Sequence, residues 1–198
     1  MDVVGLFNDL VMKSPLPENE KKELLKKGQN SIPKIIDELI PVWQDKSLIG
    51  EMSIKGVKLD DGTILNGRLD MIEAINGGNE VIVHDFKTGK AKSRNNIAGL
   101  TASSDGNYLR QLTFYKILVD HYHEGKMKMV SGVIDFIEPD EKGKFKSENF
   151  EITDQEVEAL TNQIKFVSEE IRQLAFWDRY CEEKDCEYCD LRRLTLNE

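Results

Sequence analysis

Two aspartates in the first half of the chain have a spacing that could bring their carboxylates together. Residues 76–79 are Asn-Gly-Gly-Asn, which predicts a hairpin turn between two segments of strand-like composition. If Asn76 opposes Asn79, counting away from the turn along both strands places Asp70 directly opposite Asp85. Directly opposed residues share a face of the sheet, so these two carboxylates should face each other across the hairpin.

Carboxylates in this position repel each other unless a cation offsets their charge. Mg²⁺ or Mn²⁺ is suitable, because hard divalent cations bind carboxylate oxygens and complete their shells with water and phosphate oxygens. Strand side chains alternate between faces, so Lys87 points to the same side as Asp85. A lysine there could orient a water molecule or stabilise the charge on a phosphate. Together with a metal ion, the three residues suit phosphodiester hydrolysis.

A structural interpretation of the same residues is also open. The tripeptide Asp85-Phe86-Lys87 has a pattern that often arises by chance, and Asp70 could simply form a cross-strand ion pair with Lys87. Neighbouring motifs are therefore needed to choose between an ion pair and a catalytic site.

Three motifs favour catalysis. They are Gly-Arg-Leu-Asp at residues 67–70, Val-His-Asp-Phe-Lys-Thr-Gly-Lys at 83–90 and Gln-Leu-Thr-Phe-Tyr at 111–115. In this order and spacing they resemble the RecB-like nucleases of the PD-(D/E)xK superfamily. That group includes the nuclease domains of UvrD-type DNA helicases, AddAB subunits and nucleases of CRISPR systems. The resemblance covers roughly Ile49 to Tyr122, and more loosely the cysteine-bearing tail.

The resemblance implies a metal site and a catalytic lysine. Asp70 and Asp85 would bind Mg²⁺ or Mn²⁺ together with the backbone carbonyl of Phe86, and Lys87 would be the catalytic lysine. Glu51 lies on the preceding strand, where relatives often carry an acid. It is therefore a candidate on the metal side, with a solvated strand charge as the alternative.

Residues beyond the catalytic strand are expected near the substrate. The resemblance implies that Gln111 and Tyr115, one helical turn apart, lie near the site and touch DNA. The alternatives are an exposed glutamine and a tyrosine in the core. Lys90, Lys92 and Arg94 directly follow the catalytic strand and could bind DNA phosphates, with a solvated loop as the alternative.

The histidines depart from the family pattern. Relatives usually carry a histidine metal ligand on an N-terminal helix, whereas no histidine precedes His84, which should face away from the aspartates. We expect either a fragment of a larger helicase-nuclease or a member with an incomplete site. The alternative function is a catalytically impaired nuclease-like module that serves DNA binding or subunit contact.

The cysteines form a second departure. Cys181, Cys186 and Cys189 have spacings typical of metal ligands or of the remnant of such a site. Many relatives hold a [4Fe–4S] cluster with four cysteines, but here the next expected position is Thr195 and no cysteine precedes Cys181. A Zn²⁺ site lacks a fourth ligand as well. We therefore do not expect a complete cluster, and the preferred interpretation is a tail with free thiols.

The elements that must position these residues predict a single α/β domain with a mixed sheet. The resemblance implies that this is a restriction-endonuclease-like mixed central sheet flanked by helices. The single domain would comprise a helical part over residues 1–46, the catalytic sheet and helix over 47–152, and a C-terminal helix with the cysteine-bearing tail over 153–198. Strands are predicted over residues 48–59, 63–75, 80–86, 130–137 and 145–152, and a helix over 108–122.

Local signals predict where the helices begin and end. Gly28 should end the first helical stretch, and Ser31 should cap a second one. Residues 88–107 are rich in Gly, Ser and Asn and should form a mobile loop. Thr153 and Glu156 form a capping box at the start of the last long helix.

Composition limits the possible partners. The chain has 198 residues, 39% of them hydrophobic, and a net charge of −9, which argues against binding of nucleic acid by bulk electrostatics alone. An acidic centre neutralised by cations, or DNA held by a partner domain, remains compatible with that charge. The expected partners are DNA and a helicase domain in the same or a partner polypeptide. Neither a membrane span nor a secretory signal is predicted, so the expected location is cytoplasmic.

Overall fold

A mixed five-stranded sheet lies at the centre of the structure, a computed structural model that describes residues 2–177, 179–183 and 185–196. Its strands are β1 (Ser47–Lys58), β2 (Ile64–Ile75), β3 (Glu80–Lys87), β4 (Lys128–Phe136) and β5 (Lys146–Phe150), in spatial order β1-β2-β3-β4-β5. The β3–β4 pair is parallel and the other pairs are antiparallel. The predicted α/β architecture with a mixed sheet is confirmed.

The β2–β3 hairpin has the predicted register. Met71 lies opposite His84, and the pairing continues in step to Ile75 opposite Glu80. Gly77 has a positive φ of 74° in the connecting turn, a conformation that glycine adopts without steric cost. The regular β2–β3 pairing ends at Met71 and His84, one residue short of the two aspartates.

One long helix crosses the sheet and carries much of the core. This helix is α5 (Asn107–His121), which contacts β1, β2, β3 and β4 and also the later helix α6 (Asp154–Arg172). Its Leu112 and Leu118 are fully buried. A Cβ at Gly132 of β4 would lie 2.8 Å from Leu112, so glycine permits the close approach of helix and strand. This packing brings the polar face of α5 toward the end of β3.

The N-terminal helices differ from the sequence prediction. Helix α1 (Val3–Lys13) is followed by α2 (Glu18–Lys34), which runs through Gly28, so Gly28 does not end a helix and Ser31 does not begin one. A π-helical turn, Ile35–Leu39, and the short α3 (Ile40–Trp43) complete this region. The glycine has a packing role instead, because an added Cβ would lie 2.1 Å from the ring of Phe7 in α1.

Gly28→Ala is therefore expected to destabilise the protein although alanine favours helices. Overpacking costs roughly 1–3 kcal/mol, whereas the gain in helix propensity is at most about 1 kcal/mol. The change should lower the free energy of unfolding by about 1 kcal/mol, measured by urea denaturation. Asn30→Ala, at an exposed position of the same helix, is the control and should be neutral or slightly stabilising. Equal stability of the two variants would contradict the packing role.

The segment between β3 and α5 is not irregular throughout, as its composition predicted. It contains the short helix α4 (Arg94–Ile97), capped by the side chain of Ser93, which accepts a hydrogen bond from Asn96 N. Ile97 is only 1% exposed and inserts into the core. One apolar side chain therefore anchors a segment whose polar composition predicted only a loop.

Helix α6 begins at the predicted capping box, formed by Thr153 and Glu156. The first half of its apolar stripe packs on the core through Val157, Leu160 and Ile164. Further along, Ile171 is 56% exposed. The last helix is α7 (Glu187–Leu196). Within the described residues, no helix has the length and apolar character needed to cross a membrane.

Candidate active site

Asp85 is a buried carboxylate near the end of β3. It is 1% exposed, and its Oδ1 accepts hydrogen bonds from Gln111 Nε2 at 2.7 Å and from the Tyr115 hydroxyl at 3.1 Å. Gln111 Nε2 also lies 2.7 Å from the Tyr115 hydroxyl oxygen. Because Gln111 and Tyr115 are one turn apart on α5, the helix holds one carboxylate oxygen with two adjacent side chains.

Lys87 lies beside Asp85 and is held by three neighbours. Its Nζ is 2.5 Å from Asp85 Oδ2, donates to Gln111 Oε1 at 2.7 Å and lies 4.9 Å from the centroid of the Tyr108 ring. The Gln111 amide thus donates to the carboxylate and accepts from the ammonium. This bridge fixes the lysine relative to the aspartate.

Asp70 joins the site where β2 and β3 cease to pair. Its Oδ2 accepts a hydrogen bond from the Phe86 backbone N–H at 2.9 Å. The side chain of Asp70 thus takes the place of the β2 backbone carbonyl that would accept this bond in a continuous sheet. The Lys87 carbonyl accepts from Ile137 N at 3.0 Å on the β4 side. Backbone groups of successive strand residues point to opposite sides, so the Phe86 carbonyl is directed to the β2 side, where Asp70 lies.

The charges in this cluster act on one another. Burial raises the pKa of Asp85 above its ordinary value, Lys87 opposes the rise, and the charge of Asp70 adds to it. Burial, followed by the negative charge of Asp85, raises the pKa of Tyr115, so the phenol stays a neutral donor. The ionised form of Asp85 therefore gains from any further positive charge placed next to it.

The donor atoms suit a hard divalent cation. The buried Asp85 Oδ2 is paired with Lys87 Nζ at 2.5 Å, and no other group of the described residues forms a hydrogen bond with it. A carboxylate oxygen has two lone pairs, so Oδ2 can still bind a cation. Asp70 and the Phe86 carbonyl supply further oxygens nearby, and Mg²⁺ and Mn²⁺ prefer oxygen ligands. These residues fit such an ion.

Glu51 is not brought into this cluster. It has a positive φ of 52°, lies exposed on β1 and pairs with Arg68. Its carboxylate does not join those of Asp70 and Asp85 in a group with all ligand atoms within 4.8 Å of one another. The geometry therefore favours the solvated alternative for Glu51 over a place beside the metal.

The three cations after β3 occupy different surroundings. Lys92 Nζ lies 4.6 Å from the centroid of the Tyr108 ring, the same ring that contacts Lys87. Arg94 turns to β5, where it donates to the Asn149 carbonyl at 2.6 Å. Lys90 is exposed. Lys92 is thus the member that the structure places beside the site.

Tyr108 is a site residue that sequence analysis missed. Its ring packs edge-on against Phe136, with 6.3 Å between the two ring centroids. The same ring also faces two ammonium groups, from Lys87 and Lys92. The sequence gives no signal for this role, because β3 and the segment after it reach α5 only through tertiary packing.

His84 faces away from the aspartates, as the strand period predicted. It is buried between two other carboxylates, with Nδ1 2.7 Å from Asp135 and Nε2 3.3 Å from Glu73. His121 and His123 are exposed near the end of α5. Both ring nitrogens of His84 are therefore occupied by structural contacts.

A family model described as the PD-(D/E)XK nuclease superfamily matches residues 6–194. A candidate exonuclease from Eubacterium rectale has 14% identity and a TM-score of 0.49, covering 93% of this chain and 71% of that one. The structure of SSO0001 has 12% identity and a TM-score of 0.40, covering 83% and 84%. No curated protein matches the sequence. At these scores the two structures add no argument about this chain.

Proposed function

Since this chain belongs to the PD-(D/E)XK nuclease superfamily, we propose that it is a metal-dependent nuclease domain that hydrolyses phosphodiester bonds in DNA. The observation that carries the proposal is the linked arrangement of Asp85, Lys87 and Gln111. The buried carboxylate of Asp85 lies 2.5 Å from the ammonium of Lys87, which Gln111 holds in place, and this arrangement suits metal-assisted hydrolysis.

Asp70, Asp85 and the Phe86 carbonyl would hold Mg²⁺ or Mn²⁺. When bound, the ion supplies Lewis acidity and lowers the pKa of a bound water. The Tyr115 hydroxyl and the Gln111 amide keep Asp85 Oδ1 occupied, which leaves Oδ2 as the oxygen directed at the cation.

Lys87 would act on the reacting phosphate or the attacking water. Gln111 and the ring of Tyr108 hold its ammonium beside Asp85, so little rotational freedom is lost when substrate binds. From there Nζ could donate to a phosphate oxygen or orient the water molecule. We propose Gln111 and Tyr108 as residues that position the lysine.

Substrate binding would use cations at the mouth of the site, because the net charge of −9 disfavours a general attraction to DNA. Lys92 is the best placed, and Lys90 extends the same segment. Arg94 has a smaller expected part, since its guanidinium is engaged by β5. We further propose that the domain acts in DNA repair or recombination beside a helicase domain, in the same or a partner polypeptide, in the cytoplasm.

The test is cleavage of DNA by the purified chain. Linear and circular DNA, single-stranded and double-stranded, are incubated with Mg²⁺ or Mn²⁺ and with EDTA. We expect cleavage with either metal ion and loss of cleavage in EDTA, restored when metal is added back. Cleavage that persists in EDTA would contradict the metal-dependent mechanism.

A second candidate function is a nuclease-like module that binds DNA or a subunit without cleaving. It is favoured by the contacts of His84, whose two ring nitrogens face Asp135 and Glu73. His84 therefore does not replace, beside Asp70 and Asp85, the histidine metal ligand that relatives usually carry. Titration with Mn²⁺ separates the two functions. Saturable binding that Asp70→Asn removes supports the nuclease, whereas DNA binding without such a metal site supports the module.

A further inference from the structure

The three cysteines of the C-terminal tail converge in the structure. Their sulfur atoms all lie within 4.8 Å of one another, and Cys181 Sγ is 3.4 Å from Cys189 Sγ. The tail folds back to achieve this, since Cys181 precedes α7 and Cys189 lies in its first turn. The cysteine spacing alone favours free thiols, because a fourth ligand is missing, and it does not show that Cys181 lies next to the Cys-x-x-Cys pair.

The backbone around the cysteines favours thiolates. The Cys186 carbonyl accepts from Asp190 N at 3.0 Å, so Cys186 stands at the N-cap of α7, where the helix end stabilises negative charge. The N–H groups of Cys189 and Tyr188 point at its sulfur as hydrogen-bond donors. Cys181 N also donates to Cys189 Sγ at 3.4 Å.

The sulfur atoms are close enough to need a common partner. Three thiolates within 4.8 Å of one another would repel, and a cation bound between them would offset that repulsion.

The spacing of the sulfurs distinguishes between kinds of metal group. In a tetrahedral Zn²⁺ site with Zn–S bonds of about 2.3 Å, two sulfurs lie about 3.8 Å apart. A [4Fe–4S] cluster needs four ligands and binds each to a different iron atom, which spreads the sulfurs more widely. The observed separations therefore suit a single ion.

We propose that Cys181, Cys186 and Cys189 form a trithiolate site for one soft divalent cation, Zn²⁺, with a water molecule as the fourth ligand. No other His, Cys, Asp or Glu of the described residues joins the three sulfurs within 4.8 Å. The ion would cross-link the chain before α7 to the first turn of that helix. Arg192 already ties α7 to the same preceding segment by donating to the Arg179 carbonyl at 2.9 Å.

The test uses the purified, fully reduced chain, titrated with Zn²⁺ in competition with a chromophoric chelator. We expect one equivalent bound per chain and protection of all three thiols from alkylation. Co²⁺ in place of Zn²⁺ should give thiolate-to-metal charge transfer and the intense visible absorption of tetrahedral cobalt. Cys186→Ser and Cys189→Ser should each weaken binding by at least about 100-fold, since each removes a ligand.

Two control variants separate this site from its surroundings and from the nuclease site. Asp185→Asn alters an exposed acid in the same loop, and Asp85→Asn alters the proposed nuclease centre. Both should bind Zn²⁺ as the parent chain does. Retained binding in both cysteine variants, no saturable Zn²⁺ binding by the reduced chain, or formation of a four-iron cluster after anaerobic reconstitution would each overturn the proposal. Circular dichroism checks that the cysteine variants remain folded.

Discussion

Asp85→Asn is expected to reduce DNA cleavage by about 10³-fold or more, because it removes the charge from the carboxylate proposed to bind the metal. The amide retains the shape of the side chain and an oxygen that can accept from Tyr115. A loss of activity would therefore be due to the missing negative charge and not to a disrupted arrangement of the side chains. Single-turnover cleavage with saturating Mg²⁺ or Mn²⁺ measures the effect, and Asp45→Asn, at an exposed aspartate, is the matched control.

The same substitution should not lower stability in metal-free buffer. Burial raises the folded-state pKa of Asp85, so the folded protein holds this proton more tightly than the unfolded chain does. This tighter binding of the proton contributes to the free energy of unfolding at pH values below the ordinary aspartate pKa. The contribution is lost as the pH rises through the raised folded-state pKa of Asp85. Asn cannot ionise, so the variant should lose less stability over that pH interval. Urea denaturation in EDTA at several pH values measures the difference.

Two outcomes would count against this account of Asp85. If Asp85→Asn cleaves DNA as fast as the Asp45→Asn control, the carboxylate does not act in catalysis. If the variant unfolds at a much lower urea concentration than the parent at neutral pH, then the ionised carboxylate stabilises the fold, and the loss of activity has a structural cause.

Lys87→Met is expected to lower the rate of the chemical step by roughly 10²–10³-fold while metal binding is retained or strengthened. Methionine keeps the apolar part of the side chain and removes the ammonium. Asp85 Oδ2 then loses the cation 2.5 Å away, which competes with a metal for its charge. Single-turnover kinetics and Mn²⁺ titration separate the two effects.

Lys90→Met is the matched control, because it makes the same change at an exposed position three residues along the chain. It should leave the rate of the chemical step unchanged and at most weaken DNA binding, more so at low salt. If Lys87→Met and Lys90→Met behave alike, Lys87 has no special part in the chemistry. Loss of Mn²⁺ binding in Lys87→Met would indicate that the lysine maintains the metal site.

The hairpin could be predicted because its determinants are local. A glycine-containing turn at residues 76–79 and a side-chain period of two set the register, and the observed pairing of Met71 with His84 agrees with it. Where pairing stops is not a local property. The structure shows Asp70 bonded to the Phe86 N–H instead of continuing the ladder.

Glycine at position 28 shows how a local signal can mislead. Glycine often follows the last turn of a helix, which made Gly28 a reasonable helix end. In the folded chain Gly28 lies within α2. Glycine is needed there because the ring of Phe7 occupies the space that a side chain would take. Sequence alone does not distinguish a glycine that ends a helix from one that admits a neighbour.

The sequence by itself determined that Asp70, Asp85 and Lys87 belong to one hairpin, with a mixed sheet around them, since turn chemistry and residue period act over a few positions. Only the tertiary structure decided which distant side chains complete the clusters. Docking of α5 on the sheet places Gln111 and Tyr108 against Lys87, and the fold of the tail brings Cys181 to Cys189. Such contacts depend on the packing of whole elements, which no short period in the sequence encodes.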